Sequence, residues 1–218
     1  MKKIKVCKDG PYLVTGSVPL DKTVAEIGES DEPEFWIKKE DYKTGETYSL
    51  CRCGHTKTPP FCDGSHTAKK FNGKETAGFE TFEELAKTYK GPDLDLKDAE
   101  VFCASARFCH PKGGTWHLTK KSNDPDSKKI AIEQACNCSA GRLVAYDKKT
   151  GKPIEPDFKP HISATEDPQV DASGPLWVKG GIPIESAEGK TYEIRNRVTL
   201  CRCGKSKNKP FCDGRHIK

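Results

Sequence analysis

The hydrophobic positions of the chain fall mostly into short runs that alternate with polar residues, which is the pattern of half-buried strands. Near the start, Ile4 and Val6 alternate with lysines, and two hydrophobic runs follow at residues 12–14 and 18–20. The later segments ETYSL and RNRVTL have the same extended character. The pattern therefore predicts a chain that is rich in short strands.

The longer predicted helices lie in the middle of the chain. The segment TFEE at residues 81–84 has the form of a capping box and predicts a helix that runs to about Lys90. Asp124 and Pro125 open a second predicted helix, over residues 125–135. A strand, a turn and an extended connector are predicted next, at residues 143–146, 147–151 and 152–168.

A sixteen-residue sequence occurs twice. It reads CRCGHTKTPPFCDGSH at residues 51–66 and CRCGKSKNKPFCDGRH at residues 201–216, with three cysteines and one histidine at the same spacing. The repeat extends upstream, because GPYLVTGSVPL at residues 10–20 matches GPLWVKGGIPI at residues 174–184. Thiolate and imidazole ligands suit iron–sulfur clusters or zinc, and they suit calcium or magnesium poorly. Each copy is therefore predicted to bind a metal of the first kind.

Three further positions in each copy have a physical reason to be there. Aspartate after the third cysteine can cap a short helix that carries the histidine, and the next glycine lets the backbone approach a metal closely. Proline stiffens the chain ahead of the third cysteine. These residues are Pro60, Asp63 and Gly64 in the first copy and Pro210, Asp213 and Gly214 in the second.

These residues resemble the CDGSH iron–sulfur family of mitoNEET-like proteins, whose signature is C-x-C-x2-[S/T]-x3-P-x-C-D-G-[S/A/T]-H. The first copy fits the signature completely, and the second has Arg215 where a small residue is expected. The resemblance implies one [2Fe-2S] cluster in each copy. The implied ligands are Cys51, Cys53, Cys62 and His66 in the first copy and Cys201, Cys203, Cys212 and His216 in the second. It also implies paired units, either within a monomer as an internal pseudo-dimer or between the two chains of a homodimer.

Four further cysteines lie between the copies: Cys103, Cys109, Cys136 and Cys138. Their surroundings resemble, more distantly, a single-cluster ferredoxin. Ala106 stands where ferredoxins with a [4Fe-4S] cluster have a third cysteine, as in those with [3Fe-4S], and CSAGRL resembles their last ligand segment. The resemblance implies a [3Fe-4S] or [4Fe-4S] cluster on Cys103, Cys109 and Cys138, with Cys136 either a fourth ligand or a bystander. Structural zinc on all four cysteines and metal-free thiols are the alternatives.

Composition limits what the rest of the chain can build. Only 34% of the 218 residues are hydrophobic, while 32% are charged and 15 are prolines. Such a chain forms small cores, so metal binding is expected to contribute to folding. We predict a small, β-rich α+β fold in which two CDGSH repeats form a pseudo-twofold pair, with a ferredoxin-like α+β middle region. The predicted domains are residues 1–80, 81–173 and 174–218.

The eleven cysteines would suggest disulfides in an oxidising compartment. However, the sequence MKKIKVCKDGPYLV lacks the apolar core of a signal peptide, and no hydrophobic run approaches the length of a membrane span. We therefore expect a cytoplasmic protein without membrane association. The net charge of +5 is spread along the chain, and no helix with base-reading positions accompanies the repeats, so nucleic-acid binding is not expected.

Three functional classes are compatible with the motifs. The first is an iron–sulfur carrier that passes electrons to a redox partner protein or clusters to an apo iron–sulfur acceptor protein. The second is a zinc-stabilised interaction module without redox activity. The third, an oxidoreductase, has little support, because the sequence has no dinucleotide-binding, P-loop, nucleophile-elbow or H-E-x-x-H motif, and no catalytic residue is assigned. A neutral imidazole in place of one thiolate removes negative charge, so the clusters of a carrier should have potentials between those of plant-type ferredoxins and Rieske centres.

Overall fold

Thirteen strands and four α-helices make up most of the regular structure of residues 1–217, which are the residues that the computed structural model describes. Lys218, the last residue of the predicted domain 174–218, lies outside the described residues. The predicted α+β class, rich in strands, is confirmed. Among residues 1–217, no helix combines the length and the apolar character needed to cross a bilayer.

The elements follow one another in this order. The strands before the first candidate metal loop are β1 (Lys3–Val6), β2 (Tyr12–Thr15), β3 (Leu20–Ile27), β4 (Pro33–Tyr42) and β5 (Thr47–Leu50). The later strands are β6 (Lys87–Lys90), β7 (Leu94–Asp98), β8 (Leu143–Asp147), β9 (Pro153–Ile154), β10 (His161–Asp167), β11 (Ala172–Lys179), β12 (Ile184–Glu185) and β13 (Arg197–Leu200). The helices are α1 (Ser65–Ala68), α2 (Phe82–Leu85), α3 (Thr115–Lys120) and α4 (Pro125–Asn137).

Two of the three sheets contain strands from both ends of the chain. In the first sheet, β1 and β5 flank β2, and β12 from the second repeat pairs in parallel with β1. In the second sheet, β10 and β13 flank β11, and β3 from the first repeat pairs in parallel with β10. The two arrangements are the same with the repeats exchanged. Each repeat thus contributes one strand to the sheet of the other.

The exchanged strands are held by one hydrophobic core. Ile4 pairs with Ile184 where β12 joins the first sheet, and Leu20 pairs with Ile162 where β3 joins the second. All four side chains are buried in the same cluster. Full burial of such a side chain is worth about 1.5 to 3 kcal/mol, so separating the repeats would be strongly unfavourable.

The third sheet belongs to the middle of the chain. It contains β6, β7, β8 and β9 in that order, and α4 packs on β8. Asp124 caps α4 by accepting a hydrogen bond from the amide of Ser127 (2.9 Å), so the helix predicted from residue 125 is confirmed, although it continues to Asn137. The strand predicted at residues 143–146 is confirmed as β8.

Two predicted elements are wrong in part. The helix after Thr81 has the predicted capping box, but it ends at Leu85 and not near Lys90. The following residues form β6, because they pair with β7 in a hairpin, and tertiary pairing of this kind outweighs local helix propensity. The extended connector predicted at residues 152–168 contains β10, a strand inside a five-stranded sheet.

Candidate metal centres

Each repeated sequence forms a loop that begins where a strand ends. Cys51 follows β5 directly, and its amide donates a hydrogen bond to the carbonyl of Pro60 (2.8 Å). Cys201 follows β13, and its amide donates in the same way to the carbonyl of Pro210 (2.9 Å). The strand therefore fixes the first cysteine of each loop, and the hydrogen bond folds the second half of the loop back towards it.

The four predicted ligands of the first loop form two close pairs. The Sγ atoms of Cys51 and Cys53 lie 3.7 Å apart. The Sγ atom of Cys62 lies 3.4 Å from Nδ1 of His66, which is carried by the short helix α1.

The second loop repeats this arrangement. The Sγ atoms of Cys201 and Cys203 lie 3.6 Å apart, and the Sγ atom of Cys212 lies 3.5 Å from Nδ1 of His216. Two sulfurs on one tetrahedral metal with bonds of about 2.3 Å are about 3.8 Å apart. Within residues 1–217, no three His, Cys, Asp or Glu side chains come together closely enough to hold a single ion. Each loop therefore offers two pairs of ligands, and each pair has the spacing needed to share one metal atom.

The aspartate of the first loop, Asp63, closes the loop and is not the N-cap residue of the helix. The carboxylate of Asp63 accepts hydrogen bonds from the amides of Lys57 (2.8 Å) and Ser65 (2.9 Å). The N-cap residue of α1 is Gly64, which has a φ of 85° and provides no side-chain cap, so the predicted capping role of Asp63 is corrected in this respect. Asp213 makes the equivalent bond to the amide of Lys207 (2.9 Å).

The arginine between the first two cysteines of each loop has a structural role that the sequence did not indicate. Arg52 is buried and donates hydrogen bonds to the carbonyls of Cys7 (3.0 Å) and Gly10 (3.3 Å). Arg202 is also buried and donates to the carbonyl of Gly174 (2.6 Å). Gly10 and Gly174 are equivalent positions of the longer repeat, so each arginine ties its loop to the start of its own repeat. The only available signal was that arginine occupies the same place in both copies.

The two loops also contact each other. The backbones of Cys53 and Cys203 form an antiparallel bridge. Tyr12 of the first repeat is fully buried and donates hydrogen bonds to the carbonyls of Cys201 (2.8 Å) and Pro210 (2.9 Å) of the second loop. The two candidate centres are therefore adjacent and share backbone contacts.

Comparison with known proteins gives the family of these loops. Both repeats match the CDGSH family. The matching family is described as iron-binding zinc finger, CDGSH type, and its model covers residues 9–67 and 173–217. The predicted resemblance is thereby confirmed for both repeats, including the second one with Arg215.

One curated relative is similar over a shorter region. The chain is 40% identical over 50 residues to the human protein named CDGSH iron-sulfur domain-containing protein 3, mitochondrial. This match covers 23% of the chain and 35% of the human protein, so the chain spans about a third of the length of that relative. No solved structure matches the chain.

In the second CDGSH loop, burial favours the neutral forms of the Cys212 thiol and the His216 imidazole. Burial raises the pKa of the Cys212 thiol to about 12. Burial and the nearby guanidinium of Arg202 lower the pKa of His216, so its imidazole is neutral at pH 7. A neutral imidazole is the form that binds a metal, and a metal supplies the positive charge that lets a buried sulfur bind as thiolate.

Three of the four middle cysteines line one cavity. Cys103, Cys109 and Cys138 lie around a cavity of about 340 Å³, and residues 105–108 form part of its wall. Cys136 does not line this cavity, because its Sγ atom faces the carbonyl of Ile154 at 3.8 Å.

A fixed cation lies in the wall of this cavity. Arg142 makes two hydrogen bonds to the carboxylate of Asp98 (2.6 and 2.9 Å), and Trp116 donates to the same carboxylate (3.1 Å). Burial opposes the positive charge of Arg142, but hydrogen bonds to Asp98 and Cys103 raise its pKa, so it stays protonated. Arg142 was not predicted from the sequence.

The wall of this cavity also contains buried thiols and a buried hydroxyl. Burial raises the pKa of the Cys109 thiol to about 12, and the neighbouring Cys138 and Cys103 add to this rise. The hydroxyl of Ser139 is buried in the cavity wall and has no hydrogen-bond partner among the described residues. Three thiols and an unpaired hydroxyl therefore surround the same space.

A second buried arginine holds the ligand segment of the middle region. Arg197, at the start of β13, donates hydrogen bonds to the carbonyls of Cys136 (3.0 Å) and Cys138 (2.9 Å), and its guanidinium forms an ion pair with Glu155. Arg197 is 1% exposed. The strand that leads into Cys201 therefore also fixes the end of α4.

Proposed function

We propose that the protein is an iron–sulfur carrier with one [2Fe-2S] cluster in each CDGSH loop. The observation that carries the proposal is the division of each ligand set into two pairs with separations of 3.4 to 3.7 Å. In a diiron core, each iron takes two protein ligands, so this division fits the cluster. The proposed ligands are Cys51, Cys53, Cys62 and His66 in the first loop and Cys201, Cys203, Cys212 and His216 in the second. The match of both loops to an iron-binding family supports the same group.

The alternative, one zinc ion in each loop, is less well supported. A structural zinc site brings all four ligands to one tetrahedral centre. The side chains of both CDGSH loops instead form separate pairs, as described above. The alternative remains a defined outcome of the experiment below.

We propose a third cluster in the middle region, on Cys103, Cys109 and Cys138. In a [3Fe-4S] or [4Fe-4S] cluster, each cysteine binds a different iron, so the sulfurs surround a space and do not meet at one point. The cavity of about 340 Å³ between these three cysteines supports such a cluster over a zinc ion on all four. Arg142 would offset its negative charge, and the hydroxyl of Ser139 could donate a hydrogen bond to it.

Electron transfer is the role that the burial of the ligands supports best. A bound cluster of this kind supplies one-electron redox chemistry. Cys51, Cys53, Cys201 and Cys212 are all buried, and buried ligands hold a cluster firmly. Cluster transfer to an apo acceptor protein is the second candidate, because Cys62 and His66 in the first loop are partly exposed. Either role requires reduced cysteines, and no disulfide forms within residues 1–217, so we propose a reducing compartment such as the cytoplasm.

Metal analysis and spectroscopy test this proposal. The full chain is purified without oxygen, and its iron, inorganic sulfide and zinc are measured for each chain, with electron paramagnetic resonance spectra of the oxidised and reduced forms. Two reducible [2Fe-2S] centres and one further centre are expected. A content of four irons per chain would contradict the proposed middle cluster. A colourless protein with zinc and no sulfide would refute the redox role.

A further inference from the structure

The two CDGSH loops have the same fold but differ in what covers them. At the glycine of C-D-G, Gly214 of the second loop is buried, and a Cβ atom there would collide with the side chain of Ser105. The equivalent Gly64 of the first loop is exposed, and a Cβ atom there would meet no atom within 4 Å. The neighbouring cysteine follows the same trend, because Cys212 is buried and Cys62 is only partly so.

The middle region supplies much of the cover on the second loop. Ser105 lies against Gly214, and Phe102 packs edge-on against Phe211, with ring centroids 5.8 Å apart. The carbonyl of Val101 accepts a hydrogen bond from the side chain of Asn208 (3.2 Å). Residues 101–105 thus form a lid on the second loop.

The backbone of the first repeat holds the second loop from another side. The amides of Thr76 and Ala77 donate hydrogen bonds to the carbonyl of Lys209 (2.8 and 2.9 Å). The hydroxyl of Thr76 donates to the carbonyl of Lys207 (2.7 Å). The part of the second loop around Gly214 is therefore covered by the chain itself, whereas the equivalent part of the first loop, around Gly64, is open.

The open face is basic. Within residues 55–70 there are three lysines and one acidic residue. All three lysines are exposed, and in the part of the chain that the structure describes none of them forms an ion pair: Lys57, Lys69 and Lys70. The acidic residue, Asp63, already accepts hydrogen bonds from two backbone amides of its own loop. The lysines of this face thus have no ion-pair partner within residues 1–217.

We infer that the open face of the first CDGSH loop is the docking surface for an acidic partner protein. The partner occupies the place that residues 101–105 occupy on the second loop. Positive charge around an exposed site steers an acidic partner to it and raises the association rate. The inference rests on the proposed function only for what passes to the partner, an electron or a cluster. Docking itself requires only the open face and its positive charge.

Cross-linking of an acidic protein tests the inference. The probe is a flavodoxin, a small acidic one-electron carrier, mixed with the full chain in its cluster-loaded form. A carbodiimide then joins lysine amines to carboxylates that already form ion pairs, and peptide mapping identifies the lysines. Cross-links are expected at Lys57, Lys69 or Lys70. The yield is expected to fall at least fivefold in the triple variant Lys57→Glu, Lys69→Glu, Lys70→Glu.

A matched variant separates local docking from net charge. Lys87, Lys90 and Lys149 are exposed lysines of the middle region, so the triple variant Lys87→Glu, Lys90→Glu, Lys149→Glu makes the same change of charge elsewhere. Its yield is expected to stay within twofold of the unaltered protein. Equal losses in both variants, no loss in the first, or no cross-link at all would overturn the inference. The visible spectrum of the same samples shows whether clusters are present, so a failure of the proposed function is recognised separately.

Discussion

The backbones of Cys53 and Cys203 face each other in an antiparallel bridge, although the two residues belong to different repeats. The glycines that follow them make this approach possible. A Cβ atom on Gly54 would lie 2.5 Å from the carbonyl oxygen of Cys203, and one on Gly204 would lie 2.6 Å from that of Cys53. Both glycines also have positive φ angles, of 77° and 76°.

Gly54→Ala is expected to damage both CDGSH loops, because the new methyl group would push the loops apart. Its cost should exceed that of Gly64→Ala by about 1 to 3 kcal/mol in the free energy of unfolding. Gly64 is the matched control, since its φ of 85° imposes the same backbone strain without any contact within 4 Å. Chemical denaturation and iron content provide the measurements. Equal stability of the two variants would show that the loops do not depend on their mutual contact.

Cys103→Ala and Cys136→Ala are expected to differ in the metal content of the middle region. Cys103 lines the cavity, whereas the sulfur of Cys136 faces the carbonyl of Ile154. The first variant should therefore lose the third cluster, and the second should keep it. Iron and sulfide analysis, with spectra of the oxidised protein, would detect the loss. Loss of the same iron in Cys136→Ala would show that Cys136 is also a ligand. A metal site formed by all four cysteines would then be favoured.

Arg197→Met is expected to destabilise the protein by about 3 kcal/mol, because Glu155 and several carbonyls would lose a buried charged partner. It should also lower the iron content of the middle region more than that of the CDGSH loops. Lys38→Met serves as the control. Lys38 forms an ion pair with Asp41 on the surface, where both side chains are more than half exposed, and such pairs are worth about 0 to 1 kcal/mol. Unchanged stability and metal content in Arg197→Met would contradict a positioning role for Arg197.

Asp21 is expected to make the free energy of unfolding depend on pH in the acidic range. Asp21 of β3 lies 2.7 Å from Nε2 of His161 in β10, across one of the exchanged strands. Burial alone would raise the pKa of Asp21, but hydrogen bonds from His161, Ser163 and Thr23 outweigh it and lower the pKa to about 2. Because the unfolded value is about 4, the ionised carboxylate stabilises the fold above pH 4, and this contribution of about 2 kcal/mol is lost as the pH falls from 4 to 2.

Denaturation between pH 2 and 7 tests this expectation. Asp21→Asn should be less stable than the unaltered protein at pH 7, and the difference should shrink below pH 4. Asp41→Asn is the control, because the side chain of Asp41 is 66% exposed. A difference that is the same at pH 2 and pH 7 would mean that the charge of Asp21 makes no contribution.

The sequence was most informative where a feature depends on local spacing. The strand ahead of each first cysteine, the cap at Asp124 and the two CDGSH motifs could all be predicted, because each depends on residues close together in the chain. The helix after Thr81 was predicted too long, since the pairing of β6 with β7 is not a local property.

Contacts between distant segments could not be predicted. The exchange of β3 and β12 joins residues that are far apart in the sequence, and no local pattern marks the partner of a parallel strand. Cys136 and Cys138 are two residues apart, but the first lies in the last turn of α4 and the second is its C-cap residue with an extended backbone. Their side chains therefore face different surroundings, and spacing alone left Cys136 as either a fourth ligand or a bystander.

The exchange of strands between the repeats determines when the first sheet can be completed during synthesis. On the ribosome, Ile4 is synthesised long before its partner Ile184, and the middle region emerges between them. The edge of β1 must therefore stay unpaired until almost the whole chain has been translated. A protein truncated before β12 would leave that edge exposed to pairing with other chains, so the C-terminal repeat also protects the N-terminal one from aggregation.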